Sequence, residues 1–248
     1  MKKRTTALVL PLFCCHFLLH AQTADEIITK YEAAMGGREK LGSIRSVYLE
    51  GVSVMGNGNE LTSHITKVNQ QLYRTEVQFG GMGNFTMIVT DKDGWISNPR
   101  NGGAFEAMPA EAVKSMQPEL DLGGNLSNYA AKGSKAELAG RDTVNGISCY
   151  LLKLTLANGN DIYYAIDPNT YYVVREKRKA TGMMGRRGGG QDAPAADGMM
   201  VIEYSDYQKT PEGYVFPYSI KRPGMGGSMM IEKLEVNQPV DPKKFKPE

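Results

Sequence analysis

The chain carries little of the side-chain chemistry on which catalysis and metal binding depend. Among its 248 residues are 3 cysteines, 3 histidines and 1 tryptophan. Cys14, Cys15, His16 and His20 all fall in a leader-like start. There, Lys2, Lys3 and Arg4 precede an apolar stretch from Ala7 to Leu19, and Leu19-His20-Ala21 offers a small residue before Gln22. That is the pattern of an export signal cleaved near Ala21, so residues 1–21 are read as a signal peptide and the mature protein as periplasmic. Pro11, Leu12 and Phe13 stand where lipidation wants small residues ahead of the cysteine, so no lipid anchor is expected. Cleavage leaves Cys149 and His64 alone of their kinds, which excludes a disulfide within one mature chain and limits any thiol–imidazole dyad to that pair. Both lie in strand patterns. Cys149 reads as a small buried hydrophobe, and His64, out of phase with Leu61 and Ile65, as a solvated surface residue. The expectation is no enzyme and no cofactor.

Long apolar runs are also missing. None reaches the roughly 20 residues that a membrane-spanning helix needs, the leader included. A surplus of one charge is absent too: removing Lys2, Lys3 and Arg4 takes the formal balance from +2 to −1. A basic footprint for nucleic acid is therefore lacking. The remaining length is enough for one domain, residues 22–248, with its own core, expected as a monomer.

What the chain does have is glycine and methionine, 28 and 14 residues respectively. They concentrate in four clusters: Gly80-Gly81-Met82-Gly83, Gly182-Met183-Met184-Gly185, Gly198-Met199-Met200 and Gly224-Met225-Gly226-Gly227-Ser228-Met229-Met230. Methionine is flexible and polarizable and suits surfaces that accommodate varied ligands, while glycine permits turns and close approach. The pairing favours adaptable apolar binding.

The patterning predicts one amphipathic helix and then a long series of strands. Thr23 is placed to cap the helix, Asp25 and Glu26 occupy its first turn, and Gly36-Gly37 stop it. Ile27, Tyr31, Ala34 and Met35 fall on one face. Strand-like runs follow at 47–55, 60–68, 71–79, 84–90 and 95–98, bounded by Asn-Gly and Asp-Gly turns. Asp91-Lys92-Asp93-Gly94 lacks the downstream glutamate of a calcium loop and reads as a hairpin turn. Met108–Leu120, with Pro109 at its start, predicts a second helix, and 122–132 a loop or short helix. Further strands are expected at 135–139, 147–156, 161–166, 171–179, 199–207, 213–222 and 228–237. A flexible Gly/Arg/Met-rich insertion, about 180–198, interrupts them and carries Arg186-Arg187. Short strands in succession, roughly eleven, predict an antiparallel meander.

Alternation puts large residues on one face: Tyr150, Leu152, Leu154 and Leu156; Ile162, Tyr164 and Ile166; Met200, Ile202 and Tyr204; Phe216, Tyr218 and Ile220. A sheet this wide must curl. Leu152, Leu154, Ile162, Tyr164, Ile166, Ile202, Tyr204, Phe216, Tyr218 and Ile220 are thus candidates to line an apolar hollow. Strand parity gathers the last three Met–Gly clusters at one end of the sheet, making Met183, Met184, Met199, Met200, Met225, Met229 and Met230 candidate rim residues. The first cluster cannot be placed, because the middle helix resets the parity. Thioethers also bind Cu(I), but adjacent methionines on a strand point to opposite faces and give a site at most one ligand per doublet. Pro217 inside a strand pattern predicts an edge or a bulge. Trp95 follows a turn, placed either to pack the helix or to line the hollow.

Tyr31, Ala34, Gly36-Gly37, Leu41, Ile44, Ser46 and Gly51, then Asp167, Thr170-Tyr171, Asp206-Tyr207, Gly213 and Phe216-Pro217, resemble exported LolA-like lipoprotein-sorting proteins. The resemblance spans nearly the whole mature chain. It implies an open, strongly curved antiparallel half-barrel with helices covering its concave face, and binding of the acyl chains of lipoproteins or other lipids. With the apolar alternation, it leads to the expectation of a periplasmic carrier shielding acyl chains, in outer-membrane lipoprotein sorting. The alternatives are an envelope protein-interaction or stress-sensing module of the same fold, with membrane proteins as partners, and a methionine-based Cu(I) binder.

Overall fold

The computed structural model describes residues 22–55, 58–81, 83–99, 102–179, 198–222 and 227–247. The expected signal peptide, most of the insertion, and Met82, Met183, Met184 and Met225 lie outside them.

The first helix, α1 (Ala24–Ala34), forms where its cap predicts. Thr23 Oγ1 accepts from the Glu26 N–H at 3.2 Å, and the Thr23 N–H donates to Glu26 Oε2 at 3.1 Å, so two donors at the helix start are satisfied reciprocally. The chain leaves through Gly36 and Gly37, both at positive φ, into a short α2 (Arg38–Gly42) that the pattern did not announce.

Among the described residues thirteen strands follow, against the roughly eleven expected. The first six are β1 (Ser46–Val54), β2 (Glu60–Val68), β3 (Leu72–Gln78), β4 (Asn84–Thr90), β5 (Gly94–Ser97) and β6 (Phe105–Ala107). After α3 (Ala110–Met116) come β7 (Lys135–Val144), β8 (Ile147–Thr155), β9 (Asp161–Ile166), β10 (Val173–Lys179), β11 (Met199–Lys209), β12 (Val215–Lys221) and β13 (Ser228–Val236). β6 escaped the sequence reading because three residues carry no alternation. The predicted second helix divides into α3 and a 3-10 turn, Gln117–Leu120, and a further 3-10 turn spans Tyr129–Lys132.

All thirteen strands form one antiparallel sheet in the order β6-β5-β4-β3-β2-β1-β13-β12-β11-β10-β9-β8-β7. Two meanders are joined where β1 pairs with β13. Its edge strands, β6 and β7, are unpaired with each other, so the curved sheet stays open. At the joint, β13 carries a bulge opposite Glu50 and Gly51. A Cβ at Gly51 would come within 2.9 Å of Met229 Cγ and 3.0 Å of the Met230 carbonyl, so this approach requires glycine. Pro217 sits where β12 pairs with β11 but no longer with β13, whose ladder to β12 covers only Ser219–Lys221. The expected edge character is local to that gap.

The segment between β6 and β7 crosses the inner face of the sheet and helps to cover two cores. In the first, Ile27, Ile28 and Tyr31 of α1 pack with Leu152, Leu154 and Ile166. In the second, Val113 of α3 and the neighbouring Leu120 pack on Ile65, Met87, Val89 and Met229. Each fully buried aliphatic side chain of this kind is worth about 1.5–3 kcal/mol, so each helical element is held mainly by its apolar face. Cys149 is buried on β8, while His64 on β2 is half-buried with Nδ1 at 3.2 Å from the Tyr48 hydroxyl. Six strands separate β2 from β8, so the two do not meet.

Candidate functional site

The residues expected to line a hollow divide into two groups. Leu152, Leu154, Ile162, Tyr164 and Ile166 are buried in the first core beneath α1, three of them at 0% exposure. Ile202 is buried too, on β11 opposite Glu176 of β10. Tyr204, Phe216, Tyr218 and Ile220 are half-buried. Tyr204 and Phe216 touch the first core, and Tyr218 and Ile220 the second. These four therefore form an apolar strip on β11 and β12 between the two helical covers. Asp206, at φ 53, breaks the alternation of β11, so Tyr204 and Tyr207 both reach the first core although they are three residues apart. Tyr207 then donates to the Val173 carbonyl at 2.6 Å and stacks on Tyr172 at 4.2 Å.

Beside this strip lies a cluster of charges that the sequence reading did not identify. Glu176 and Arg178 pair in register with Tyr164 and Ile162, and so face inward with them. Lys67, in phase with Ile65, faces inward from β2. Glu119, on the 3-10 turn after α3, bridges the two sides: Lys67 Nζ lies 3.4 Å from its carboxylate, and Arg178 donates a hydrogen bond to it. Arg178 Nε is also 3.4 Å from Glu176 Oε1, and the Tyr204 hydroxyl donates to Glu176 Oε2 at 3.4 Å. The Lys67 ammonium lies 4.8 Å from the centre of the Tyr73 ring.

The electrostatics separate the two carboxylates. Burial alone would push Glu119 up, but the charges of Lys67 and Arg178 outweigh it and hold the group at about 2. For Glu176 burial wins, helped by the charge of Glu119, and its pKa is raised in spite of Arg178. Tyr73 is pushed up to about 12 by burial and by Glu119, and stays a neutral phenol. One available signal for this cluster was β10 itself: Arg175, Glu176, Lys177 and Arg178 put charge on both faces of a strand flanked by apolar neighbours, so one pair of charges had to find partners inside.

On the α1 side the inner face is pinned by Glu32, which is 4% exposed. Its carboxylate accepts from Arg38, from Ser127 Oγ at 3.3 Å and from the Asn128 N–H at 2.9 Å.

The registers place the methionine clusters. Lys179 pairs with Met199, Lys221 with Ser228 and Ser53 with Met229, so these strand ends share one rim of the sheet. Gln78 pairs with Asn84 at that same rim, which brings the connection holding Gly80, Gly81 and Gly83 there as well. The strand ends carrying Met199, Met200, Met229 and Met230 thus share a rim with Gly80, Gly81 and Gly83, which the sequence alone could not place, while Met183, Met184 and Met225 of the expected rim lie outside the described residues. Within the doublets the faces split as alternation requires: Met229 is buried in the second core and Met230 is 46% exposed. Met200 lies opposite Arg178 and is half-buried, as is Met199.

No protein-family model matches the sequence, and no curated protein sequence matches it. Solved structures do. A LolA superfamily protein from Nitrosomonas europaea superposes with a TM-score of 0.50 at 10% identity, covering 92% of this chain and 99% of that one. A domain assigned as an outer membrane lipoprotein-sorting protein from Vibrio parahaemolyticus gives 0.48 at 14% identity, over 89% of this chain and 94% of its own. A DUF1329 family protein from Desulfovibrio piger gives 0.47 at 15%, with coverage of 89% and 97%. The chain has a LolA-like fold, an open antiparallel half-barrel with helical cover on its concave face.

Proposed function

We propose that the protein is a periplasmic carrier that shields acyl chains of lipids or lipoproteins in the hollow of its sheet, and that it serves outer-membrane lipoprotein sorting. The observation that carries this reading is the half-buried apolar strip of Tyr204, Phe216, Tyr218 and Ile220 between two separate helical covers. One of these covers, α3, is only seven residues long. A short element held by a few apolar contacts is displaced at modest cost, and each methylene that replaces it on the inner face returns about 0.8 kcal/mol. The second core, rich in methionine, suits chains of varied shape. Native mass spectrometry of the protein purified from the periplasm tests the reading: co-purified lipid or lipopeptide is the expected result. A protein that emerges empty and also ignores fluorescent fatty acids would sink it.

A second reading, an envelope protein-interaction or sensor module, draws on the opposite feature. Leu152, Leu154 and Ile166 have no exposed surface, so the α1 half of the hollow is filled in this conformation. The flat fatty-acid titration that defeats the carrier is the result this reading expects.

A further inference from the structure

Three cations point into the inner face. Lys67 and Arg178 do so by register, and Arg222 continues the alternation of Phe216, Tyr218 and Ile220 past the end of β12. The charge of Arg222 acts on Tyr73, Glu119 and Tyr204, which places it at the same cluster. Two carboxylates, Glu119 and Glu176, face these three cations. Lys67 and Arg178 share Glu119, and Arg178 also takes Glu176. Arg222 is half-buried and makes no hydrogen bond or ion pair with another described residue. A self-contained ion network would match its charges. This one is left with a positive surplus and a guanidinium whose donors have no partner among the described residues.

The cluster is reachable. Between 21% and 23% of the side chains of Lys67, Glu119 and Arg178 remains exposed, unlike the sealed apolar residues under α1. It also adjoins a route for an apolar tail. Tyr218 and Ile220 precede Arg222 on the same face and lead to Met87 and Met229 of the second core. Guanidinium groups bind carboxylate and phosphate oxygens through paired, charge-assisted hydrogen bonds, and they do so best where water is scarce.

We propose that Lys67, Arg178 and Arg222 receive the oxyanionic head group of a single-chain amphiphile, whose tail runs over Tyr218 and Ile220 into the second core. This rests on the acyl-carrier reading and narrows it: the ligand carries a carboxylate or phosphate head and is selected by charge as well as by chain.

The test titrates the full mature protein at low ionic strength with laurate, lauroyl-lysophosphatidate, neutral monolaurin and inorganic phosphate. Laurate and lysophosphatidate are expected to bind about tenfold more tightly than monolaurin, the worth of a charge-assisted hydrogen bond. The order between the two shows whether the head is a carboxylate or a phosphate. Arg222→Gln is expected to erase most of that gap while leaving the melting temperature unchanged. Arg178→Gln is expected to erase it too, with some loss of stability from the broken Glu119 bridge. Monolaurin binding as tightly as laurate would overturn the head-group site and leave the carrier reading intact. Binding of inorganic phosphate as tightly as lysophosphatidate would overturn the tail route. Binding of no acyl probe at all would remove the carrier reading and this inference with it.

Discussion

Glu176 shows how one residue records the conflict between an apolar hollow and a charged cluster. Burial raises its pKa, and with the smaller push of Glu119 it outweighs the opposing charge of Arg178. The folded state therefore binds its proton more tightly than the unfolded chain does. That preference is fully present below the ordinary value of 4.5 and is lost as the pH rises through the elevated folded value. Glu176→Gln stays neutral throughout and escapes the loss. The variant should match the wild type near pH 4 and exceed it in thermal stability near pH 7, as read by parallel melts at the two values. A variant less stable at neutral pH would mean that the Arg178 pairing outweighs burial. Gly51 makes the complementary point about backbone. It was visible in the sequence as a position shared with LolA-like proteins, but its reason, the approach of Met229 and the Met230 carbonyl across the β1–β13 joint, exists only in the folded sheet.

At the scale of elements, the two covers of the inner face are fastened differently. α1 is anchored by Ile27 and Ile28, at 0% and 2% exposure, and by the Glu32 carboxylate. Burial works against Glu32, but its hydrogen bonds from Arg38, Asn128 and Ser127 together keep it below 4.5. Replacing Glu32 by Ala leaves the Asn128 N–H and the Ser127 hydroxyl without an acceptor and should cost about 1–3 kcal/mol in a denaturant titration. Because the carboxyl is held down, its contribution is present above 4.5 and is lost as the pH falls through the folded value. The deficit of Glu32→Ala should therefore shrink in acid. α3 has no buried carboxylate of that kind among the described residues. It rests on Ala112, Val113 and Met116, on the Gln117 amide donating to the Thr90 carbonyl at 3.1 Å, and on the Glu119 bridge that follows it, and its shorter length makes it the cover better suited to move.

For the whole molecule, the decisive contact joins the first strand to the last. Val47 pairs with Val236, so the first and last strands sit side by side in the middle of the sheet while chain neighbours β6 and β7 form its edges. Deleting the chain from Ser228 onward removes that joint and takes Met229 and Ile231 out of the second core and Val236 out of the first. It also exposes β1 and β12 as new edges. The truncated protein should show no cooperative melt by circular dichroism. A cooperative transition within about 3 °C of the full chain, a shift of roughly 1 kcal/mol for a domain of this size, would show the joint to be dispensable.

The sequence by itself determined what local physics controls. Thr23 and Glu26 set the start of α1, Asn-Gly and Asp-Gly turns punctuated the strands, and alternation told the inner face of β8, β9 and β12 from the outer. Parity also put the strand ends carrying Met199-Met200 and Met229-Met230 at one rim, because hairpin turns alternate ends regardless of what the rest of the chain does. Tertiary structure alone decided everything that depends on distant partners. Lys67 and Arg178 meet Glu119 across 52 and 59 residues, and neither pairing leaves a periodic trace. Gly80, Gly81 and Gly83 reached the shared rim only because β1 pairs with β13, a contact whose loop spans about 190 residues. Alternation fixes which way a side chain points relative to its own strand. Only closure of long loops fixes what it points at.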